Sequence, residues 1–143
     1  MMRDTTMTSE ERALFAQVAD ILIPAYQEMP AASTVGVHDD LLDTVLMHRP
    51  ELIEDIRRGL KGMEAKCDKA AVQALYLSDT PAFDAISLAA SGAYYMSESV
   101  WKKLSYPGQE NAPFDIESPR AYNEEGLLDK VLARGPIYRP TPK

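Results

Sequence analysis

Prolines are unevenly distributed in this 143-residue chain, and their positions decide which parts can be helical. Five of the ten lie in the last quarter, at positions 113, 119, 136, 140 and 142. Proline has no backbone N–H and disfavours helical backbone in the residue before it. Between these prolines only "NEEGLLDKVLARG" has the pattern of a short helix. Residues 109–143 are therefore predicted to form a long, mostly extended arm.

The first 108 residues instead repeat apolar side chains at helical spacing. Thr8 and Glu11 have the spacing of a capping box at the start of a first helix, which Pro24 ends. Thr80 and Ser97 are expected to cap two later helices. The remaining helices are predicted over residues 37–49, 50–66, 69–79 and 81–96. The sequence thus predicts an all-α fold, a small bundle of about five to six helices in residues 1–108 followed by a Pro-rich arm in residues 109–143. That arm either belongs to the same domain or wraps a partner.

The helix over residues 81–96 is expected to be central. Its small residues, Ala89 to Gly92, would let another backbone approach closely. In the helix predicted over residues 50–66, Gly59 and Gly62 are expected to weaken the C-terminal end.

Charge and hydropathy exclude several classes of protein. With 22 acidic and 15 basic residues the net charge is −7, which disfavours nucleic acid and anionic membrane surfaces. The longest uncharged run, "AISLAASGAYYMS", is too short to span a bilayer, and the start shows no apolar signal region or twin-arginine pair. As written, the chain is expected to be cytoplasmic, without direct membrane insertion.

Three features could carry chemistry, and each has a plainer explanation. Asp39, Asp40 and Asp43 form a D-D-x-x-D pattern that holds magnesium in isoprenoid synthases, yet acids also favour a helix N-terminus. His38 and His48 lie ten residues apart, which does not suit a shared metal site. A flanking lysine could lower the pKa of Cys67, but no histidine lies nearby in sequence. We therefore expect no metal site and no catalytic residues.

Large apolar side chains gather near the end of the bundle and in the arm. Tyr94, Tyr95, Trp101 and Tyr106 surround a Pro107-Gly108 turn and are expected to form an aromatic knot, with Trp101 packed in the core. The arm adds apolar residues that its own backbone cannot bury. They could cover this bundle or a partner chain, and composition alone does not choose between the two.

The order of four motifs resembles a known family. "ADILIPA", a "VG" before the second helix, "LSYPG" after "YYMSESVW", and "LLDKVLARGPIYRP" are similar to the gluconate 2-dehydrogenase subunit 3 family, the small subunit of FAD-dependent sugar dehydrogenases. The likeness runs from Glu11 to Pro140 and is looser between Glu51 and Asp79.

This resemblance implies a non-catalytic accessory subunit. Such a subunit binds a large FAD-dependent oxidoreductase of the glucose-methanol-choline (GMC) type and supports its folding and stability. FAD would lie in the partner, which oxidises a sugar, glycoside or other alcohol, and this chain would bind no cofactor. A cytochrome c subunit could take the electrons onward. Many members carry a twin-arginine leader, so a trimmed leader would imply a periplasmic protein.

The resemblance and the apolar residues together predict a partner interface. Its predicted members are Tyr95, Tyr106, Pro107, Gly108, Tyr122, Gly135, Pro136, Ile137, Tyr138 and Arg139. Two other functions stay open. One is a standalone helical binding module without a flavoprotein partner, and the other is a magnesium-dependent enzyme that uses Asp39, Asp40 and Asp43.

Overall fold

The structure is a computed structural model, and it describes residues 6–110, 125–135 and 137. The chain divides into two compact units, residues 1–108 and residues 109–143. Whether the second unit belongs to the same domain or wraps a partner stays a prediction.

The described part of the first unit is an all-α bundle, which confirms the predicted fold class. Its only β-type pairing is an isolated antiparallel bridge between Tyr26 and Met29, so these residues contain no strand. The six α-helices are α1 (Ser9–Leu22), α2 (Asp40–His48), α3 (Ile53–Lys61), α4 (Lys69–Ser78), α5 (Thr80–Met96) and α6 (Glu98–Lys103). Short 3₁₀ helices over Ser33–Val35 and Pro50–Leu52 precede α2 and α3.

The predicted capping box of α1 is confirmed. The Glu11 N–H donates to Thr8 Oγ1 at 3.2 Å, and the Thr8 N–H donates to Glu11 Oε2 at 2.8 Å. Two backbone donors at the helix start are thus satisfied reciprocally. This motif depends on four consecutive residues only, which explains why it is visible in the sequence.

Other helix boundaries differ from the prediction. The N-cap of α5 is Asp79 rather than Thr80, because the Asp79 carboxylate accepts from the Ala82 N–H at 3.2 Å. The Asp79 carboxylate also accepts a hydrogen bond from Arg58 Nε at 2.6 Å. This ion pair lowers the pKa of the carboxyl group. Ser97 does occupy the N-cap position of α6, but its hydroxyl pairs with that of Ser99 instead of a backbone donor.

The predicted third helix is also shorter than expected. It begins as a 3₁₀ turn at Pro50, and α3 ends at Lys61 rather than continuing to residue 66. After Lys61 the i→i−4 hydrogen bonds of the α-helix give way to a 3₁₀-type hydrogen bond, in which the Met63 N–H donates to the Leu60 carbonyl at 2.8 Å. Gly62 is the C-cap, in keeping with its low helix propensity.

α5 is the central helix, as predicted. It packs against α1, α2, α3, α4 and α6. Most side chains on the buried face of α5 are small, and Ile86 and Tyr94 are the only large ones among its buried residues. Its alanines are Ala82, Ala85, Ala89, Ala90 and Ala93. Small side chains let neighbouring helices approach α5 closely.

Gly59 marks the tightest of these approaches. A Cβ atom at Gly59 would lie 2.8 Å from Cδ1 of Ile86 and 3.2 Å from Cβ of Ala82. The residue therefore has a packing role between α3 and α5, beyond the weakening of helix propensity predicted from sequence. Near the other end of α5, a Cβ atom at Gly92 would lie 3.6 Å from Cγ2 of Val45 on α2, which is an ordinary contact.

Side chains of α1 and α5 hold the connection between α1 and α2. The Asp20 carboxylate accepts from the backbone N–H and the hydroxyl of Ser33, at 2.7 and 2.6 Å. The Tyr94 hydroxyl donates to the Pro30 carbonyl at 2.8 Å, and burial raises the pKa of this phenol. This connection is thus tied to the bundle at two points.

The described part of the second unit contains one short helix, α7 (Asp129–Arg134), within the predicted segment 123–135. Gly135 ends it with a φ of 67°, which favours glycine. Across residues 6–110, 125–135 and 137, none of the helices combines the length and apolar character needed to cross a membrane.

Candidate functional site

The turn after α6 explains two of the clustered rings. Ser105 has a φ of 53°, and its N–H donates to the Lys102 carbonyl at 3.3 Å. The Tyr106 N–H donates to the Trp101 carbonyl at 2.9 Å. These two bonds form a Schellman motif, in which apolar contact between the residues equivalent to Trp101 and Tyr106 is common. The two rings do meet edge to face, with centroids 5.7 Å apart.

Trp101 is also joined to α5. Its indole N–H donates to the carbonyl of Tyr95. The Tyr95 ring in turn lies perpendicular to that of Tyr94, with centroids 5.5 Å apart. Tyr95, Trp101 and Tyr106 are therefore held together by backbone and ring contacts.

The four rings do not form the single knot predicted from sequence. Tyr94 points into the core, where it bonds Pro30. Trp101 is only partly buried and lies outside the buried cluster, so its predicted core position is wrong. The reason is that Val100, one residue earlier, fills the inward-facing position of α6. Trp101 is left on the side of the helix that faces the Tyr106 turn.

The rings of Tyr95, Trp101 and Tyr106 and two leucines form a surface that is here called the aromatic patch. Leu88 lies seven residues before Tyr95 on α5, hence on the same helix face, and Leu104 follows Trp101 by one turn. The patch consists of Leu88, Tyr95, Trp101, Leu104 and Tyr106. All except the partly buried Trp101 are between 45% and 59% exposed. Aromatic side chains held in this way are suited to binding another protein surface.

The structure brings only some of the predicted interface residues together. Tyr95, Tyr106, Pro107 and Gly108 are at or beside the aromatic patch, and Gly108 has a φ of 88° that requires the flexibility of glycine. Gly135 and Ile137 are exposed in the second unit. Tyr122, Pro136, Tyr138 and Arg139 lie outside the described residues. Leu88 and Leu104 were missed, although their spacing from Tyr95 and Trp101 could have indicated them.

The acidic cluster at α2 serves the packing of helices. Arg12 of α1 contacts Asp43 Oδ1 at 2.5 Å and donates to the carbonyls of His38 and Asp39 at 2.8 and 3.3 Å. An arginine thus lies at the carboxylate that a magnesium site would need. Within the described ranges, no three His, Cys, Asp or Glu side chains converge on a point where they could hold a metal ion.

The histidines and the cysteine do not come together either. His38 Nε2 is 3.7 Å from its neighbour Asp39, while His48 is exposed at the far end of α2. Burial raises the pKa of the Cys67 thiol, and the charge of Asp68 raises it further. The suggested activation of Cys67 by a lysine is wrong, because Lys66 pairs with Asp68 at 2.6 Å.

A surface groove of about 320 Å³ lies between the start of α1 and the end of α3. Its lining carries charges of both signs, from Glu10, Glu11, Glu64, Arg57 and Lys61, together with the apolar Leu14 and Leu60. Arg57 and Glu11 pair across the groove at 3.2 Å. None of the predicted interface residues that the structure describes lines it.

The fold and the surface define a small all-α protein whose most distinctive exposed feature is apolar and aromatic. The sequence profile of the family described as Gluconate 2-dehydrogenase subunit 3 matches residues 9–82, more than half of the chain. The chain belongs to this family, which confirms the resemblance derived from its motifs. The match includes residues 51–79, where the motif resemblance was looser, and ends before "LSYPG" and "LLDKVLARGPIYRP". No curated protein and no solved structure matches the chain.

Proposed function

We propose that this protein is a non-catalytic accessory subunit that binds and stabilises a large FAD-dependent GMC-type oxidoreductase and assists its folding. The observation that carries the proposal is membership of a family described as a subunit of a dehydrogenase. The partner would hold FAD and oxidise a sugar, a glycoside or another alcohol. A cytochrome c subunit would be an additional electron acceptor in the complex.

The aromatic patch is the proposed contact surface of the bundle. Tyr and Trp side chains bury a large area and lose little rotamer entropy on binding, which is why they dominate interface energetics. The patch is also preorganised, since the Schellman motif fixes Tyr106 and the indole hydrogen bond fixes Trp101. Its location on the C-terminal half of α5 and on α6 would leave the rest of the bundle surface in contact with solvent.

A pair of matched tyrosine variants tests this proposal. Tyr106 is 49% exposed and meets Trp101 edge to face, whereas Tyr76 is 50% exposed and meets Phe83 edge to face with centroids 5.1 Å apart. Phe83 lies twelve residues before Tyr95 on α5, which is about 18 Å along the helix axis, so Tyr76 contacts the opposite end of α5 from Tyr95. Tyr76→Ala is therefore a control for the loss of an exposed tyrosine ring in edge-to-face contact, away from the patch.

Each variant would be co-expressed with the large subunit, and affinity would be measured after co-purification. We expect Tyr106→Ala to weaken binding at least about tenfold, or 1.4 kcal/mol, while Tyr76→Ala stays close to wild type. Equal effects of both variants would refute the location of the contact surface. A flavoprotein that is equally soluble and active without this chain would refute the accessory function itself.

A further inference from the structure

α6 has few attachments to the rest of the bundle. It is six residues long, and Val100 is its one buried residue. Its main packing partner is α5, to which the indole N–H of Trp101 adds a hydrogen bond at the carbonyl of Tyr95. Segments with little buried apolar surface are the first to open in a folded protein. A helix this short also does not persist in water on its own, so α6 would lose its hydrogen bonds once detached.

A single residue, Ser97, joins α6 to α5. α5 ends at Met96 and α6 begins at Glu98. The backbone of Ser97 is extended, with a φ of −73° and a ψ of 124°. Its hydroxyl pairs with that of Ser99, so the start of α6 receives no side-chain cap. A rotation at this one residue would move α6 away while the backbone hydrogen bonds within α5 stay intact.

The other end of α6 carries strain that favours opening. Ser105 has a φ of 53°, which a serine side chain adopts only at a cost. Such a conformation persists only where the surrounding contacts hold it in place. Here those contacts are the backbone bonds of the turn and the ring contact between Trp101 and Tyr106. Opening of α6 would release the strain at Ser105.

We propose that residues 97–106 form a flap, hinged at Ser97, which opens from α5 while the rest of the bundle stays folded. Trp101, Leu104 and Tyr106 of the aromatic patch lie on this flap, whereas Leu88 and Tyr95 lie on α5. Opening therefore divides the patch into two parts. The consequence for binding rests on the proposed function: the large subunit binds the closed form, because only the closed form presents the complete patch.

Hydrogen exchange of the free, full chain tests the flap without any partner. The amides of Trp101, Leu104 and Tyr106 all donate to backbone carbonyls within the flap. We expect these three amides to exchange through one shared opening, at least about 100-fold faster than those of Ala89 and Ala90 in the centre of α5. Equal protection of the flap and the centre of α5 would overturn the inference.

Two variants separate opening of the flap from unfolding of the whole bundle. Gly59→Ala disturbs the packing of α3 on α5, so it should speed exchange in the centre of α5 about fivefold and leave the flap amides unchanged. Ser105→Gly relieves the strain of the closed form and should slow exchange of the Trp101 and Leu104 amides about two- to fivefold. Equal acceleration of the flap and α5 amides in Gly59→Ala would show that the flap opens only with the bundle, and would overturn the inference.

Exchange in the complex with the large subunit tests the consequence for binding. We expect the Trp101 and Leu104 amides to exchange at least about tenfold more slowly in the complex than in the free chain, since binding selects the closed flap. A complex that forms while these amides keep their free-chain rates would overturn binding to the closed form and leave the accessory function intact. Failure of the wild-type chain to bind the large subunit would refute the proposed function, while exchange in the free chain would still decide whether the flap opens.

Discussion

At the scale of single residues, Ser105 is the most strained position beside the aromatic patch. Its φ of 53° lies in the left-handed region, where a side chain costs about 1–2 kcal/mol and glycine costs little. Glycine is the usual sequence signal for this position of a Schellman motif. Because serine occupies this position here, the Schellman motif could not be predicted from the sequence. The capping box could be predicted, since Thr8 and Glu11 are the usual residue types at the usual spacing.

Ser105→Gly should therefore stabilise the protein. Relief of the left-handed strain exceeds the roughly 0.4–1 kcal/mol lost through the greater freedom of glycine in the unfolded chain, so the expected net gain is about 0.5–1 kcal/mol. Lys102→Gly, three residues earlier and inside α6 with ordinary helical backbone, should instead destabilise by a similar amount. Urea denaturation followed by circular dichroism measures both, and a loss of stability in Ser105→Gly would contradict the argument.

At the scale of helices, the apolar periodicity predicted the bundle better than it predicted the helix ends. Four-residue patterns place buried faces reliably, and Leu52, Ile56, Leu60 and Met63 are all buried as the spacing indicates. Ends depend on competition between neighbouring caps. Asp79 displaces Thr80 because it can bond both the start of α5 and Arg58, which lies 21 residues away in sequence.

The two glycines of the third helical segment should respond oppositely to alanine. Gly59→Ala gains helix propensity, but the new methyl would overlap Ile86 and press on Ala82, whose Cβ cannot move away. We expect a net loss of about 1 kcal/mol. Gly62 has a φ of −66°, and a new Cβ there would meet nothing closer than the Gly59 carbonyl oxygen at 3.5 Å, an ordinary contact. Gly62→Ala should therefore be neutral or stabilising by up to about 1 kcal/mol.

Thermal and urea unfolding of both variants would measure this difference. The comparison is internally controlled, because both changes add one methyl group within three residues of each other. Equal stability of the two variants would show that α3 and α5 can separate slightly without cost.

At the scale of the whole molecule, composition and motif order predicted the class of fold and the family. The division of surface between buried and exposed rings could not be predicted, since it depends on how α5 and α6 meet. Tyr94 and Tyr95 are adjacent in sequence, yet one bonds the loop at Pro30 and the other faces outward. The chemistry of the partner interface likewise stays a prediction.

Deletion of residues 121–143 should leave the bundle folded and abolish stable association with the large subunit. Among the described residues, the buried cluster runs from Met7 to Val100 and lies within the first unit, so we expect its core to form without the arm. Far-UV circular dichroism and a cooperative melt test folding, and co-purification tests association. A large loss of helical signal per residue in the shortened chain would show that the arm is part of the core.

The helix that presents Tyr95 is also the one against which every other helix of the bundle rests. A polypeptide seated on its outer end would brace the interior as well as the surface. The free energy of association would then be shared with the fold itself, so that the melting temperature of this small protein rises with the concentration of its companion.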